Sequence, residues 1–82
     1  MSMSADEAAR RKALCARLAR VEGQLRGLQR LIESDAEPEK VAQQMAAARK
    51  ALDKAFYALV AGQIADGRSS ADDIADMLLR FA

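Results

Sequence analysis

The stretch LCARLARVEGQLRGLQRLIE, residues 14–33, decides the fold of this chain. Its larger apolar residues alternate between spacings of four and three: Leu14, Leu18, Val21, Leu25, Leu28 and Ile32. Such spacings place the apolar side chains on one face of a helix and are typical of helices that pack against each other. The stretch therefore predicts one long helix, over about residues 6–33, with a helical partner.

The same pattern returns after a short interruption. Residues 34–37 break the first helix, and Pro38 suits the first turn of a second because its fixed φ is helical and its missing N–H would be unpaired there. Helix two is predicted over about residues 38–65, with a second apolar seam: Val41, Met45, Ala48, Leu52, Ala55 and Leu59. Two matched seams joined by a short loop predict an antiparallel helical hairpin.

A short third helix is predicted over about residues 70–81. Gly67 ends helix two, and Ser69 or Ser70 can cap the next helix. The buried side of helix three is predicted to hold Ile74, Met77, Leu78 and Phe81. With four glycines, one proline and few β-branched residues among 82, helix formers dominate, and the chain is expected to be one all-α domain over residues 1–82.

Composition also excludes several classes of protein. Residues 1–14 carry acids and arginines where a signal peptide needs an apolar stretch, and no apolar run has the length of a membrane span, so a soluble, cytoplasmic protein is expected. One cysteine and no histidine leave too few soft ligands for a zinc or copper site within one chain. No cofactor is expected, and no nucleophile has a base beside it, so the chain is not expected to be an enzyme.

Helix length favours an oligomer. A helix of about 28 residues is roughly 42 Å long, whereas a compact chain of this size is only about 30 Å across. Ala16, Ala19, Gly23 and Gly27 form a second face of small residues on helix one, where another backbone could approach closely, a ligand or DNA backbone could fit, or nothing need bind. A symmetric helical oligomer is the prediction.

The net charge of +1 conceals two basic helices. Residues 1–32 contain seven basic and three acidic side chains, and residues 40–64 contain four basic and one acidic. On a helical wheel, the polar flank of helix one and a cluster on helix two hold Arg10, Arg17, Arg20, Gln24, Arg49, Lys50 and Lys54. Such flanks either contact duplex phosphates or are ordinary solvated faces, and charge alone does not separate the two.

Two stretches carry a family resemblance. RLARVEGQLRGLQRLIESD, residues 17–35, and QQMAAARKALDKAFYALV, residues 43–60, resemble the CsoR/RcnR/FrmR family of small bacterial repressors, which sense copper, nickel or cobalt, formaldehyde or reactive sulfur. The resemblance implies a dimer of helical hairpins, assembled into a flat tetramer, that binds operator DNA until an inducer releases it. The resemblance implies that Arg17 and Lys54 bind DNA, with Arg20 and Arg49 as helpers, and Lys50 from the same basic cluster is a further candidate.

The resemblance also marks three positions where family sensors carry their sensing residues. Pro38 stands where a cysteine is expected, Gln63 where a histidine is expected, and Gly67 where copper sensors have another cysteine. Proline has no donor atom and an amide is a poor metal ligand, so thiolate–imidazole metal binding and thiol chemistry are not expected there. Gln63 is interpreted as a rim residue or a ligand contact, and Cys15 as a small apolar filler.

Two hypotheses follow. The first is a DNA-binding repressor of this family that is constitutive or has an unknown inducer other than a thiol-bound metal. The second is a helical assembly module that does not bind DNA and associates with another protein through the hairpin surface. Loss of all three sensing residues keeps the second hypothesis open.

Overall fold

The computed structural model describes residues 3–82, so residues 1 and 2 of the predicted domain lie outside it. The chain forms α1 (Ala5–Glu33), α2 (Pro38–Ala65) and α3 (Ala71–Phe81), with no strand among the described residues. Each helix begins within one residue of its predicted start. The all-α prediction is confirmed.

Side chains at the helix starts explain where the helices begin. The Ser4 hydroxyl accepts a hydrogen bond from the Glu7 N–H at 3.1 Å, and the Ser70 hydroxyl accepts one from the Asp73 N–H at 3.1 Å. Both caps occupy N–H groups that have no partner within the helix. Ser70 rather than Ser69 therefore caps α3. Pro38 opens α2, as predicted.

Left-handed residues follow the two long helices. Asp35 has φ 57° and Gly67 has φ 62°. Gly67 adopts this conformation without the steric cost that a Cβ adds, and its N–H donates to the Ile64 carbonyl at 3.1 Å. These residues reverse the chain after α1 and after α2.

The hairpin of α1 and α2 sets the shape of the molecule. The Cα atoms of the chain extend over 50 × 28 × 13 Å, with a radius of gyration of 16.2 Å. A compact chain of this length has a radius of gyration of about 12 Å. The chain is therefore a thin, elongated layer of helices whose two broad faces are open.

The core is narrow, and half of the predicted α1 seam lies outside it. The buried apolar residues are Val21, Leu28, Ala48, Ala55, Val60 and Ile74. Leu18, Leu25 and Ile32 are exposed. α2 is the only helix that packs along α1, and it covers one edge of this seam, so the edge that holds these three residues stays exposed.

The predicted buried side of α3 also needs correction. Ile74 is buried, but Met77 and Leu78 are only half-buried and Phe81 is 64% exposed. α3 packs on α2 alone, so one helix covers it from one side only. The end of α3 therefore adds apolar surface to the molecule rather than to its core.

Candidate nucleic-acid interface

A basic groove of about 410 Å³ runs between α1 and α2. It is lined by Arg17, Arg20, Gln24, Ala47, Lys50, Ala51 and Lys54. Four of the five residues predicted to bind DNA therefore lie together on one surface. We call this surface the basic groove.

Helical spacing explains how these side chains meet. Arg17, Arg20 and Gln24 are three and four residues apart on α1, which puts them on one side of that helix. Lys50 and Lys54 do the same on α2. Ala47 and Ala51 also line the groove, and their side chains are too short to fill it. The four cationic side chains are exposed. No acidic residue lines the groove, so four positive charges act on one concave surface.

Two other basic residues of the predicted flanks lie elsewhere. Arg49 lines an apolar depression with Leu25, Met45 and Leu52, away from Lys50 and Lys54. Residues 49 and 50 are neighbours in sequence, but the helix turns by about 100° between them. The predicted cluster on helix two is therefore divided between two faces, and Arg49 is not part of the groove.

Arg10 is held by an ion pair. Its guanidinium donates a hydrogen bond to the Asp66 carboxylate, and this bond raises the pKa of Arg10 above its usual value. Arg10 therefore pairs at the open end of the hairpin, where α1 begins and α2 ends, and does not extend the groove.

The opposite side of the hairpin is an apolar face. Its exposed members, which we define as the apolar face, are Leu18, Leu25, Met45, Leu52 and Leu59. Leu52 lines two apolar depressions and so makes them one continuous surface, and these depressions share no residue with the basic groove. The thin layer thus presents four cations on one broad side, and leucines together with Arg49 on the other.

The chain matches a family model described as metal-sensitive transcriptional repressor over residues 10–78. It belongs to this CsoR/RcnR family. The match covers α1 from residue 10 onward, all of α2 and the first eight of the 11 residues of α3. A search of curated proteins and a search of solved structures gave no match. Repressors of this family act in transcription rather than as enzymes. No helix in residues 3–82 has the length and hydropathy needed to cross a membrane.

The three positions that the family resemblance marks for sensing do not come together in a single chain. Pro38 and Gln63 are both on α2, 25 residues and thus about 38 Å apart along the helix axis. The Gln63 side-chain carbonyl accepts a hydrogen bond from the Ser69 hydroxyl at 3.0 Å, which fixes it to the turn before α3. Gly67 has no side chain and lies in that same turn.

These residues do not fit a transition metal. Copper and nickel sites use thiolate or imidazole ligands, and the three positions offer no such donor. Among residues 3–82, no group of three or more histidine, cysteine, aspartate or glutamate side chains is placed to hold a metal ion. The sequence predicts Cys15 to be an apolar filler, but it is exposed on α1, because it lies beyond the thin stripe that α2 covers.

Gln24 is the one neutral polar side chain of the basic groove. Its side-chain carbonyl oxygen is buried and has no hydrogen-bond partner among the described residues. The helical wheel places Gln24 on the basic flank without assigning it a role. Whether this oxygen has a hydrogen-bond partner depends on how α2 packs beside it. The spacing of residues in the sequence does not show that packing.

Proposed function

We propose that this chain is a DNA-binding transcriptional repressor that binds its operator through the basic groove. Four cationic side chains from two helices converge on one groove without an acidic neighbour, and this observation carries the proposal. Lys and Arg that neutralise phosphates release counterions, which supplies most of the affinity of such a surface. Arg17, Arg20, Lys50 and Lys54 are the proposed DNA contacts. Arg49 is left out because it lies on the other face.

The proposed assembly is a homo-oligomer, a dimer or a tetramer, built on the apolar face. Five exposed large apolar side chains in a row on a thin layer would associate with another apolar surface in water. A second copy supplies the same surface, and a two-fold axis closes the pair. Because the basic groove lies on the opposite side, this pairing leaves both copies of the groove open to DNA.

The proposed repressor has lost the family's usual inducer chemistry. Pro38, Gln63 and Gly67 cannot supply a thiolate or an imidazole, and the Gln63 oxygen already accepts a hydrogen bond within its own chain. An inducer of another chemical class, or none, is compatible with these residues. Duplex DNA and a second copy are the partners in this proposal, with a cytoplasmic location.

Fluorescence anisotropy of the purified protein tests the proposal. The DNA upstream of its own gene is compared with a scrambled duplex of equal length over a salt series. We expect preferential binding whose affinity falls steeply with salt, as the release of several counterions requires. Weak binding that is the same for both duplexes would overturn the proposal for the homo-oligomer.

The apolar face also favours a second function. A helical module that associates with another protein would need such a face and no DNA contact at all. A protein that binds neither duplex, yet forms a stable complex with a second family member of intact sensing residues, would support this function over the first.

A further inference from the structure

The side-chain oxygen of Gln24 is buried without a hydrogen-bond partner, and Gln24 lines the groove that also holds four cationic residues. Burial removes this carbonyl oxygen from water, and no donor among the described residues replaces the missing hydrogen bond. An unsatisfied buried acceptor lowers the stability of the folded state. Gln24 also lies in the wall of the basic groove, beside Arg17 and Arg20. A residue that costs stability at a binding surface has a candidate role in the bound state.

The chemistry of an amide indicates what Gln24 would bind. The carbonyl oxygen is buried, whereas the amide nitrogen is not among the buried unpaired atoms of the described residues, so its two N–H donors are the groups that we assign to an occupant of the groove. Phosphate oxygens only accept hydrogen bonds. A neutral donor between cationic side chains therefore complements a phosphate without adding charge.

We propose that Gln24 is a phosphate-positioning residue of the basic groove. Its amide N–H donates to an oxygen of a backbone phosphate that Arg17, Arg20, Lys50 and Lys54 attract. This inference rests on the proposed function, since it requires that DNA occupy the groove. Arginine and lysine bring the phosphate in through charge, and Gln24 fixes where that phosphate lies.

A neutral contact and a charged contact differ in their dependence on salt. The plot of log affinity against log salt concentration has a negative slope. Removal of a cation makes this slope less steep by about 0.9 for each phosphate that the cation neutralised. Removal of an amide donor lowers the affinity at every salt concentration and leaves the slope unchanged, because no counterion is involved. The two roles can therefore be separated in one titration series.

The experiment uses Gln24→Met, which keeps the length of the side chain and removes its donors. Affinity for the upstream duplex is measured by anisotropy from about 50 to about 200 mM salt. We expect a loss of roughly tenfold at each salt concentration, the size of one hydrogen bond to a charged group, with an unchanged slope. We also expect a melting temperature equal to or above that of the wild type, because a buried unpaired acceptor is gone.

Two further variants complete the test. Gln29→Met alters an exposed glutamine of the same helix that does not line the groove, and should bind like the wild type. Gln24→Glu keeps the shape but removes the donors and adds a negative charge, so it should lose more affinity than Gln24→Met and also lower the slope.

Three results would overturn the inference while leaving the proposed function in place. They are Gln24→Met binding equal to the wild type, a slope for Gln24→Met that falls as it does for Lys54→Ala, and a lowered melting temperature that accounts for the weaker binding. A wild-type protein that binds no duplex preferentially would overturn the proposed function, and the inference with it.

Discussion

The guanidinium of Arg68 pairs with the carboxylate of Glu7 and so ties the turn after α2 to the first turn of α1. Glu7 is only 8% exposed, and Arg11 approaches the same carboxylate at 3.4 Å. Arg10 and Asp66 form a second ion pair between the same two segments. Together these contacts join the two segments at the open end of the hairpin.

We expect Glu7→Gln to destabilise the fold modestly. The variant keeps the shape of the side chain but removes the charge that two arginines share, and both arginines are about half exposed, so solvent screens part of the effect. The free energy of unfolding should fall by about 1 kcal/mol. Urea titration followed by circular dichroism measures this change.

Glu22→Gln is the matched control for that variant. Glu22 pairs with Arg26 at 3.5 Å, but both side chains are well exposed. Its removal should change the free energy of unfolding by less than about 0.5 kcal/mol. Equal effects of the two variants would contradict the role assigned to the cluster at the open end.

Arg17→Ala and Lys54→Ala should each weaken DNA binding and flatten its salt dependence. Each variant removes one proposed phosphate contact per subunit, so the slope of log affinity against log salt should fall by about 1 for each phosphate that is no longer neutralised. Because these side chains are proposed to bind phosphates, upstream and scrambled duplexes should lose affinity by a similar factor. Anisotropy on both duplexes measures the slope and the factor.

Arg26→Ala controls for the removal of one positive charge, because Arg26 is exposed on α1 outside the groove. It should leave the slope within experimental error of the wild type. Arg49→Ala tests, by the same salt titration, whether Arg49 lies outside the DNA-binding surface. It should also leave the slope unchanged. If Arg49→Ala flattened the slope as much as Lys54→Ala, the groove would not be the DNA-binding surface.

The sequence was sufficient to predict the helices. Spacings of three and four, together with Pro38 and Gly67, placed the three helices to within a residue, because these signals are local. The division between Arg49 and Lys50 was missed, since the charges on one helix do not say where the neighbouring helix lies. The exposure of Leu25 was missed for the same reason. Both depend on the position of α1 relative to α2, which packing determines.

Leu52→Asp should break the proposed homo-oligomer. Leu52 is 51% exposed and belongs to both depressions of the apolar face, so a charge there opposes burial by a partner but leaves the fold of one chain largely unaffected. Sedimentation velocity should show the mass falling to that of a single 8.9 kDa chain. DNA affinity should fall with it, because the number of grooves in each particle decreases.

Leu79→Asp is the control for that change. Leu79 is 87% exposed on α3 and does not line either depression. This variant should keep the mass and the DNA affinity of the wild type. An unchanged mass in Leu52→Asp would show that the apolar face is not the interface.

Metal binding should require two chains and two restored ligands. Pro38 and Gln63 lie about 38 Å apart along α2, so Pro38→Cys and Gln63→His cannot share one metal ion within a subunit. We propose that the two-fold axis of the pair runs perpendicular to α2, which makes the two α2 helices antiparallel and brings the start of one near the end of the other. We therefore expect a cobalt-to-thiolate charge-transfer band when the two variants are mixed and allowed to exchange subunits.

Each variant alone should lack the band, and Cys15→Ser in every protein removes the other thiol from the assay. A band of equal strength in Pro38→Cys alone would mean that the ligands come from elsewhere. No band in the mixture would contradict the antiparallel pairing, provided that sedimentation shows mixed dimers.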